Sequence, residues 1–291
     1  MLFSKWCVDQ GVNIMKRWIK LTVLTILLAI LGIAGTASFS RAHAASEQYW
    51  TQRMNKVAPG RASARYPSIN WNARDLGGYY AGHHHWTRRD VVFRGGNVGH
   101  ISNYGIKRLK QLHIHEVIDL RSHNFAGGKD PQEGSSHNRL GVTYHRYSVN
   151  TAQQKRALYA PKHRYGEIYK YGAAFTTYRT ARQAYRNVFD QLLKNQRGAV
   201  YFHCIQGRDR TGIMSALYLS ALGVSRYHIY NDFLMSDYYK HKYSYRDQAD
   251  ELGHFYNTVN YYYGNMNGYL HRGLGLSDHQ IHQLRQKYLV K

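Results

Sequence analysis

The sequence predicts an α/β protein, and three observations carry that prediction. Segments that read as buried strands, Asp90–Gly95, Glu116–Arg121, Val142–Val149 and Gly198–His203, alternate with stretches of helical periodicity. Strands that alternate with helices bury their apolar faces in a layered sheet. Between the last of these strands and an apolar helix lies the loop His203-Cys-Ile-Gln-Gly-Arg-Asp-Arg-Thr-Gly212. A strand, a tight loop and a helix start aim backbone N–H groups at one point, where an anion is favoured.

The elements follow in chain order. Met15-Lys-Arg-Trp-Ile-Lys20 is a basic run, Leu21 to Ala34 is apolar and uncharged, and Ala42-His43-Ala44 has the small-x-small form of a cleavage site. Residues 1–44 are therefore expected to be an export signal, removed to leave Ala45 first. The competing reading is a retained membrane anchor, for which the apolar run is short. Residues 45–67 are polar and basic and read as an arm. Residues 68–291 are expected to form the catalytic domain. Within it, Asn72-Ala-Arg-Asp-Leu-Gly-Gly78 carries a glycine pair suited to a turn. After the strand at 90–95, Ser102 is placed to cap a helix whose Ile106, Leu109 and Leu112 share one face. The strand at 116–121 leads into a polar, glycine-rich loop, 124–138, and then the strand at 142–149.

Residues 165–195 place Tyr171, Phe175, Tyr178, Tyr185, Val188, Phe189 and Leu192 at helical spacing, in one long helix or two. That aromatic stripe reads as core. The strand at 198–203, the loop and a helix over 211–222 follow, then an amphipathic helix over 225–239. Ser277-Asp-His-Gln280 has the form of a capping box before a last helix through Ile281, Leu284 and Leu289.

Forty Lys and Arg against seventeen Asp and Glu give a net charge of +23. Such a field gathers anions: phosphorylated substrates, acidic polymers or an anionic cell envelope. Solubility and retention at the envelope explain the charge as well as a substrate does. Of two cysteines, Cys7 lies in the expected signal, so Cys204 would be alone in an exported chain, as a reactive thiol and not half of a disulfide. His83-His84-His85 and the glycine-rich Gly95–Gly99 are weaker candidates; the first reads as an exposed loop, and the second lacks a nucleotide-binding lysine. Tyrosines among basic residues from 238 to 263 read as core or surface, and no nucleic-acid partner is expected.

The loop can perform phosphoryl transfer. Amides from Ile205, Gln206, Gly207, Arg208, Asp209 and Arg210 can bind the equatorial oxygens of a phosphate without reorganising. Arg210 can grip two of them with its planar fork. Cys204, beside a helix start and an arginine, can react as a thiolate. Thr211 is expected to donate a hydrogen bond to the Cys204 sulfur, and His203 to shape the loop through backbone contacts. The chemistry requires no metal or other cofactor, because arginine and amides do a cation's work.

These residues resemble the cysteine-dependent protein tyrosine phosphatases, whose signature is His-Cys-x5-Arg-Ser/Thr, and more closely their bacterial branch of tyrosine and lipid phosphatases. Asn72–Gly78, Phe93-Arg-Gly-Gly-Asn97, Val117–Arg121 and the segment 275–284 are similar to that branch in the right order, so the resemblance covers residues 68–289. It implies a tyrosine-phosphatase-like central sheet flanked by helices, and activity on phosphotyrosine, with phosphoserine, phosphothreonine or phosphoinositides as further substrates. It also implies that Asp209 is the general acid; an equally weighted reading has Asp209 only orienting the loop. Asp119 and Asp75 stand as reserve acids. The branch's loop lysine is Arg208 here, which keeps the charge and changes the geometry. Two alternatives remain open: a phosphoinositide or phytase-like inositol phosphate phosphatase, and a secreted module that binds phosphate or the envelope without catalysis.

Overall fold

The computed structural model describes residues 66–70, 72–99, 101–122, 139–149, 175–238 and 245–291. The chain divides into two compact units, residues 1–52 and 53–291. The first lies outside the described residues, and with it the expected export signal and most of the arm. The expected loop at 124–138 and the start of the 165–195 helical stretch also lie outside them.

In the second unit a five-stranded sheet has the order β1-β3-β6-β4-β5. Its strands are β1 (Arg74–Asp75), β3 (Val92–Gly95), β4 (Ile114–Asp119), β5 (Thr143–Arg146) and β6 (Ala199–His203). All neighbours run parallel except β1, which pairs antiparallel with β3 at the edge. A separate ribbon joins β2 (Trp86–Thr87) to β7 (Leu289–Val290), tying the end of the domain to its beginning. Strands are expected at 90–95, 116–121, 142–149 and 198–203; the first, third and fourth are present in shorter form, and the second lies two residues earlier at the same length, Ile114–Asp119. The sheet is the mixed α/β core that the sequence predicts.

β6 is buried along its whole length because both faces of the sheet are covered. Its side chains alternate: Val200 and Phe202 enter the larger core, Ala199 and Tyr201 the smaller. The smaller core lies under α1 (Asn103–Gln111) and the segment from Tyr66 to Ala73. Ser102 caps α1 by accepting from the Gly105 amide at 3.1 Å. The larger core holds α2 (Arg179–Lys194), α3 (Asp209–Leu222), α4 (Arg226–Tyr238) and α5 (Tyr245–Tyr263). It also takes in residues of the short α6 (Met266–Gly268), the π-helical turn Tyr269–Gly273 and α7 (Asp278–Tyr288). α7 begins with the expected capping box of Ser277 and Gln280.

α3 is buried on nearly every side, which fits a helix apolar all round. A Cβ on Gly212 would meet the Phe233 ring at 2.5 Å, so a glycine lets α3 and α4 approach closely at the first turn. α3 starts two residues earlier than the sequence predicts. Asp209 thereby becomes its first residue, and Arg210 and Thr211 lie within its first turn.

Parallel strands end at one edge of a sheet, and ligands bind there. β3 ends at Gly95, β4 at Asp119 and β6 at His203, so segments 96–99, 120–122 and 204–208 gather at that edge.

Candidate active site

The five carbonyls from Cys204 to Arg208 are each engaged by a donor. His203 Nδ1 lies 2.9 Å from the Cys204 oxygen; a carbonyl only accepts, so that nitrogen carries the proton. The Asn97 amide donates to Ile205 at 2.9 Å, and Asn72 Nδ2 donates to Gln206 at 2.9 Å. Arg94 Nη2 donates to Gly207 at 2.6 Å, and the Gly212 amide donates to Arg208 at 2.7 Å. In a trans peptide the N–H points opposite to the C=O. Tying these five oxygens to the surrounding scaffold turns the amides of Ile205, Gln206, Gly207, Arg208 and Asp209 toward the concave side. The first-turn amides of α3, which have no intrahelical acceptor, add to them.

The donors are themselves anchored. Asp232, on α4, accepts from Arg74 Nε at 2.7 Å and forms an ion pair with Arg94 Nη1, and all three side chains are buried. Arg74 also donates to the Asp232 carbonyl at 2.7 Å and to the Asn72 carbonyl at 3.1 Å. Asn72 Nδ2 is shared with Ser236 at 3.2 Å. Asn70 Nδ2 reaches the Tyr201 hydroxyl at 2.8 Å and Asn70 Oδ1 takes the Gly96 amide at 3.0 Å, which fixes the strand end under the loop. Burial would push Asp232 up, but Arg74 and Arg94 together hold it below the usual carboxylate range. Arg94 is brought down to about 10 by burial and the Arg74 charge, against the pull of Asp232, and stays charged at neutral pH.

Gly207 is where the loop presses on β3. Its φ is +72°, and a Cβ there would lie 2.2 Å from the Gly95 carbonyl carbon and oxygen. Both conditions demand glycine.

Within this frame Cys204 is buried at the base of the loop. Arg210 is 7 % exposed, and its Nη1 is buried without a hydrogen-bond partner among the described residues. Buried guanidinium nitrogens are rarely left so, and a guanidinium is suited to grip an anion. Two comparisons meet at this geometry. A family model described as "Tyrosine phosphatase family" matches residues 68–290. The chain belongs to the tyrosine phosphatase family. A tyrosine-protein phosphatase by name from Cupriavidus necator is 30% identical over 183 residues, 61% of this chain and 64% of that protein. A tyrosine-protein phosphatase of Nostoc commune is 40% identical over 55 residues, 19% of each chain. The chain thus spans less than two thirds of the length of either relative.

In this tyrosine phosphatase family member some expected roles are not seen. Thr211 is fully buried, but its hydroxyl makes no hydrogen bond, so the expected bond to the Cys204 sulfur is not formed in this structure. Asp119 is turned away from an acid's task. It receives Arg121 Nη2 at 2.7 Å, the Arg121 amide at 2.8 Å and the Tyr144 hydroxyl at 2.6 Å, with Arg146 at 3.5 Å. Burial opposes ionisation, yet the His203, Arg121 and Tyr144 contacts hold Asp119 far below the ordinary carboxylate range, so it has no proton to give near neutrality. Its contact with His203 Nδ1, at 3.8 Å, makes it a support for the residue behind the cysteine.

Asp75 serves a turn instead. Its carboxylate accepts from the Gly77 amide at 2.9 Å and the Asp90 amide at 3.1 Å, on the opposite side of β1 from Arg74. Burial pushes it up to about 6 against those two hydrogen bonds. Of the three expected carboxylates, only Asp209 stands at the loop, with its side chain 34% exposed and Arg208 Nε 3.0 Å away. His83 and His84 are exposed in the turn between Tyr80 and Trp86, and no group of three metal-binding side chains exists among the described residues.

Replacing Gly207 by alanine should weaken inorganic phosphate binding at least about tenfold and lower stability by about 1–3 kcal/mol. Calorimetric titration and thermal unfolding measure both; unchanged affinity would mean that the tight seat on β3 is dispensable.

The raised Asp75 has a defined pH signature. The unfolded group titrates near about 4, and the folded group near about 6. The folded form therefore holds the proton more tightly, and stability falls as pH rises through that window. Asp75→Asn removes this contribution. Urea denaturation from pH 4 to 7 should show the variant gaining on the wild type up to about pH 6 and then levelling. A constant difference would exclude Asp75 as the source.

Proposed function

We propose that this protein hydrolyses phosphotyrosine and related aryl phosphates through a cysteinyl-phosphate. The observation that carries this reading is the set of tied carbonyls from Cys204 to Arg208, which turns the loop amides the other way, with Arg210 Nη1 buried and unpartnered among the described residues in the helix turn that follows. In the first step the Cys204 thiolate attacks phosphorus, the S–P bond forms, and the bond to the leaving oxygen breaks. Asp209 supplies the proton that this oxygen takes. In the second step water attacks phosphorus, Asp209 receives its proton, and the S–P bond breaks to return thiolate and inorganic phosphate. The amides and Arg210 hold the equatorial oxygens throughout and stabilise their charge in the transition state.

The Arg208–Asp209 ion pair has to open for Asp209 to carry a proton. That favours leaving groups needing little protonation. A tyrosine phenolate, whose acid has an ordinary pKa of about 10, leaves more readily than a serine or threonine alkoxide. The basic, apolar and small-residue succession at 15–44 supports export of the enzyme, and the chain's positive charge supports its retention at an anionic envelope.

p-Nitrophenyl phosphate hydrolysis tests the chemistry. Cys204→Ser should reduce kcat more than about 10³-fold, and Arg210→Ala about 10²–10³-fold. A Cys204→Ser enzyme that keeps its rate overturns the cysteine mechanism. Asp209→Asn should slow alkyl phosphates more than aryl ones; a uniform loss would assign Asp209 to loop orientation. N-terminal sequencing of protein recovered outside the cell should begin at Ala45, and an intact leader in the membrane fraction would contradict export with cleavage.

A further inference from the structure

α1 turns Ile106 and Leu109 into the smaller core, and beside it runs a groove of about 620 Å³. The groove is lined by Asn103, Ile106, Lys107, Lys110 and Gln111 of the helix and by Arg139 from the segment before β5. Ile106 is buried there, and the other five are exposed. Asn103, Lys107 and Lys110 recur at spacings of four and three, so they share one face of the helix. Arg139 donates to Asn103 Oδ1, which brings a third cation to that face. Among the described residues no acidic side chain lines the groove, and none is paired with Lys107, Lys110 or Arg139. Arg108, by contrast, is turned to the Tyr66 ring and to Gln111. Lys110 suits the carbonyl end of α1. That role does not extend to Lys107, earlier in the helix, or to Arg139 from another segment.

The groove begins near the catalytic edge. The Asn97 amide donates to the Ile205 carbonyl at 2.9 Å, and Asn103 lies six residues further along the chain. Six residues span at most about 22 Å, so the groove starts within that distance of the loop. The first turn of α1 is also seated there. A Cβ on Gly105 would lie 2.8 Å from the Ser68 carbonyl oxygen, and Asn70, two residues beyond Ser68, holds Gly96 through its amide and carbonyl.

We infer that this groove docks an acidic stretch of the phosphoprotein substrate while the phosphotyrosine occupies the loop. The inference rests on the phosphotyrosine reading given above. Exposed ion pairs are individually weak, so three surface cations hold a free acidic peptide poorly. A peptide already held by its phosphate meets the groove as an intramolecular partner, at a high effective concentration. A concave cationic face whose one apolar residue is buried fits an extended chain. A bilayer is bound instead by faces that bury apolar side chains in it. The net charge of +23 draws anions of every kind, whereas the groove selects for acids at one distance from the phosphotyrosine.

Phosphotyrosine peptides of equal length are the probes, assayed for kcat and KM with the full chain at low salt. Two carry glutamates about three to six residues from the phosphotyrosine, one before it and one after it, and a third carries glutamines. Wild type should show a KM about three- to tenfold lower for at least one glutamate peptide than for the glutamine peptide, with kcat alike, and 1 M salt should remove the difference. Lys107→Gln with Lys110→Gln should abolish it, and Lys107→Glu with Lys110→Glu should turn it into a preference for glutamine. Lys194→Gln with Arg197→Gln removes the same charge from exposed positions before β6, at the opposite edge of the sheet, and should leave the preference in place. The rate on p-nitrophenyl phosphate should stay unaltered in every variant. Should the helix variants lose cooperative unfolding, Arg139→Gln, outside α1, takes their place. Equal KM for all three peptides in wild type overturns the inference, as does a preference that survives the groove variants or falls equally in the Lys194 and Arg197 control. Binding to phosphatidylglycerol vesicles that the groove variants lose, without a peptide preference, would assign the groove to a membrane and overturn it too. Absence of turnover on every phosphotyrosine peptide would instead overturn the function proposed above, and with it the premise of substrate docking.

Discussion

The Asp232 carboxylate is the constraint on which the catalytic edge depends. It lies between two buried arginines, and through them one residue of α4 fixes three separate pieces of chain: β1 through Arg74, β3 through Arg94, and the loop through the Arg94 contact with the Gly207 carbonyl. Each buried ion costs several kcal/mol in desolvation, so the cluster is not there for stability alone. What it provides is orientation. Arg94 spends one nitrogen on Asp232 and the other on a carbonyl that would otherwise be able to point into the anion site. An apolar substitute for Arg94 could fill the space but could not turn that peptide.

This accounts for much that is legible in the sequence and for what is not. The segments Asn72–Gly78 and Phe93–Asn97 stand out in the sequence as family-like runs without an assigned task. The structure shows Asn72, Arg74, Arg94 and Asn97 to be donors or anchors for the loop carbonyls. Cys204 and Arg210 are readable because their spacing in a strand-loop-helix is a local pattern. Asp232 is not, because an aspartate among Tyr230, Asn231 and Phe233 on a helix carries no local mark. Only the packing of α4 against α3, at the glycine contact of Gly212 with Phe233, brings it beneath the loop. The one available signal was Arg94 closing the apolar run Val91-Val92-Phe93, an arginine that demanded a buried counterion somewhere in the chain.

The acids show the same limit. Asp119 and Asp75 each sit in a plausible strand or turn, and the sequence does not say which way a carboxylate faces. Side-chain alternation and backbone amides decide it: Asp119 is saturated by Arg121 and Tyr144, and Asp75 closes the turn at Gly77. The burial of β6 was readable from its composition, since a strand covered on both faces reads as a near-continuous apolar run. The start of α3 was less readable. Arg208 and Asp209 look like loop residues, yet Asp209 is the first helical residue, where an acidic side chain suits the positive end of the helix.

Arg210 Nη1 and the Thr211 hydroxyl, both in the first turn of α3, are buried and make no hydrogen bond among the described residues. A buried polar group without a partner costs about 1–3 kcal/mol. A folding optimum would have removed them; neighbouring residues in the same helix, such as Ser215, do find partners, here the Thr211 carbonyl at 2.9 Å. Two adjacent residues with unmet demand thus stand at the start of the helix that follows Cys204, where local rules of satisfaction are expected to yield to function. It also has a kinetic sense. Donors held rigidly, and left unpaired until an anion arrives, need no reorganisation when charge develops on the phosphoryl oxygens. The five tied carbonyls and the Asp232 cluster provide that rigidity; on the proposed function, the cost borne by the free protein is recovered when a phosphate occupies the loop.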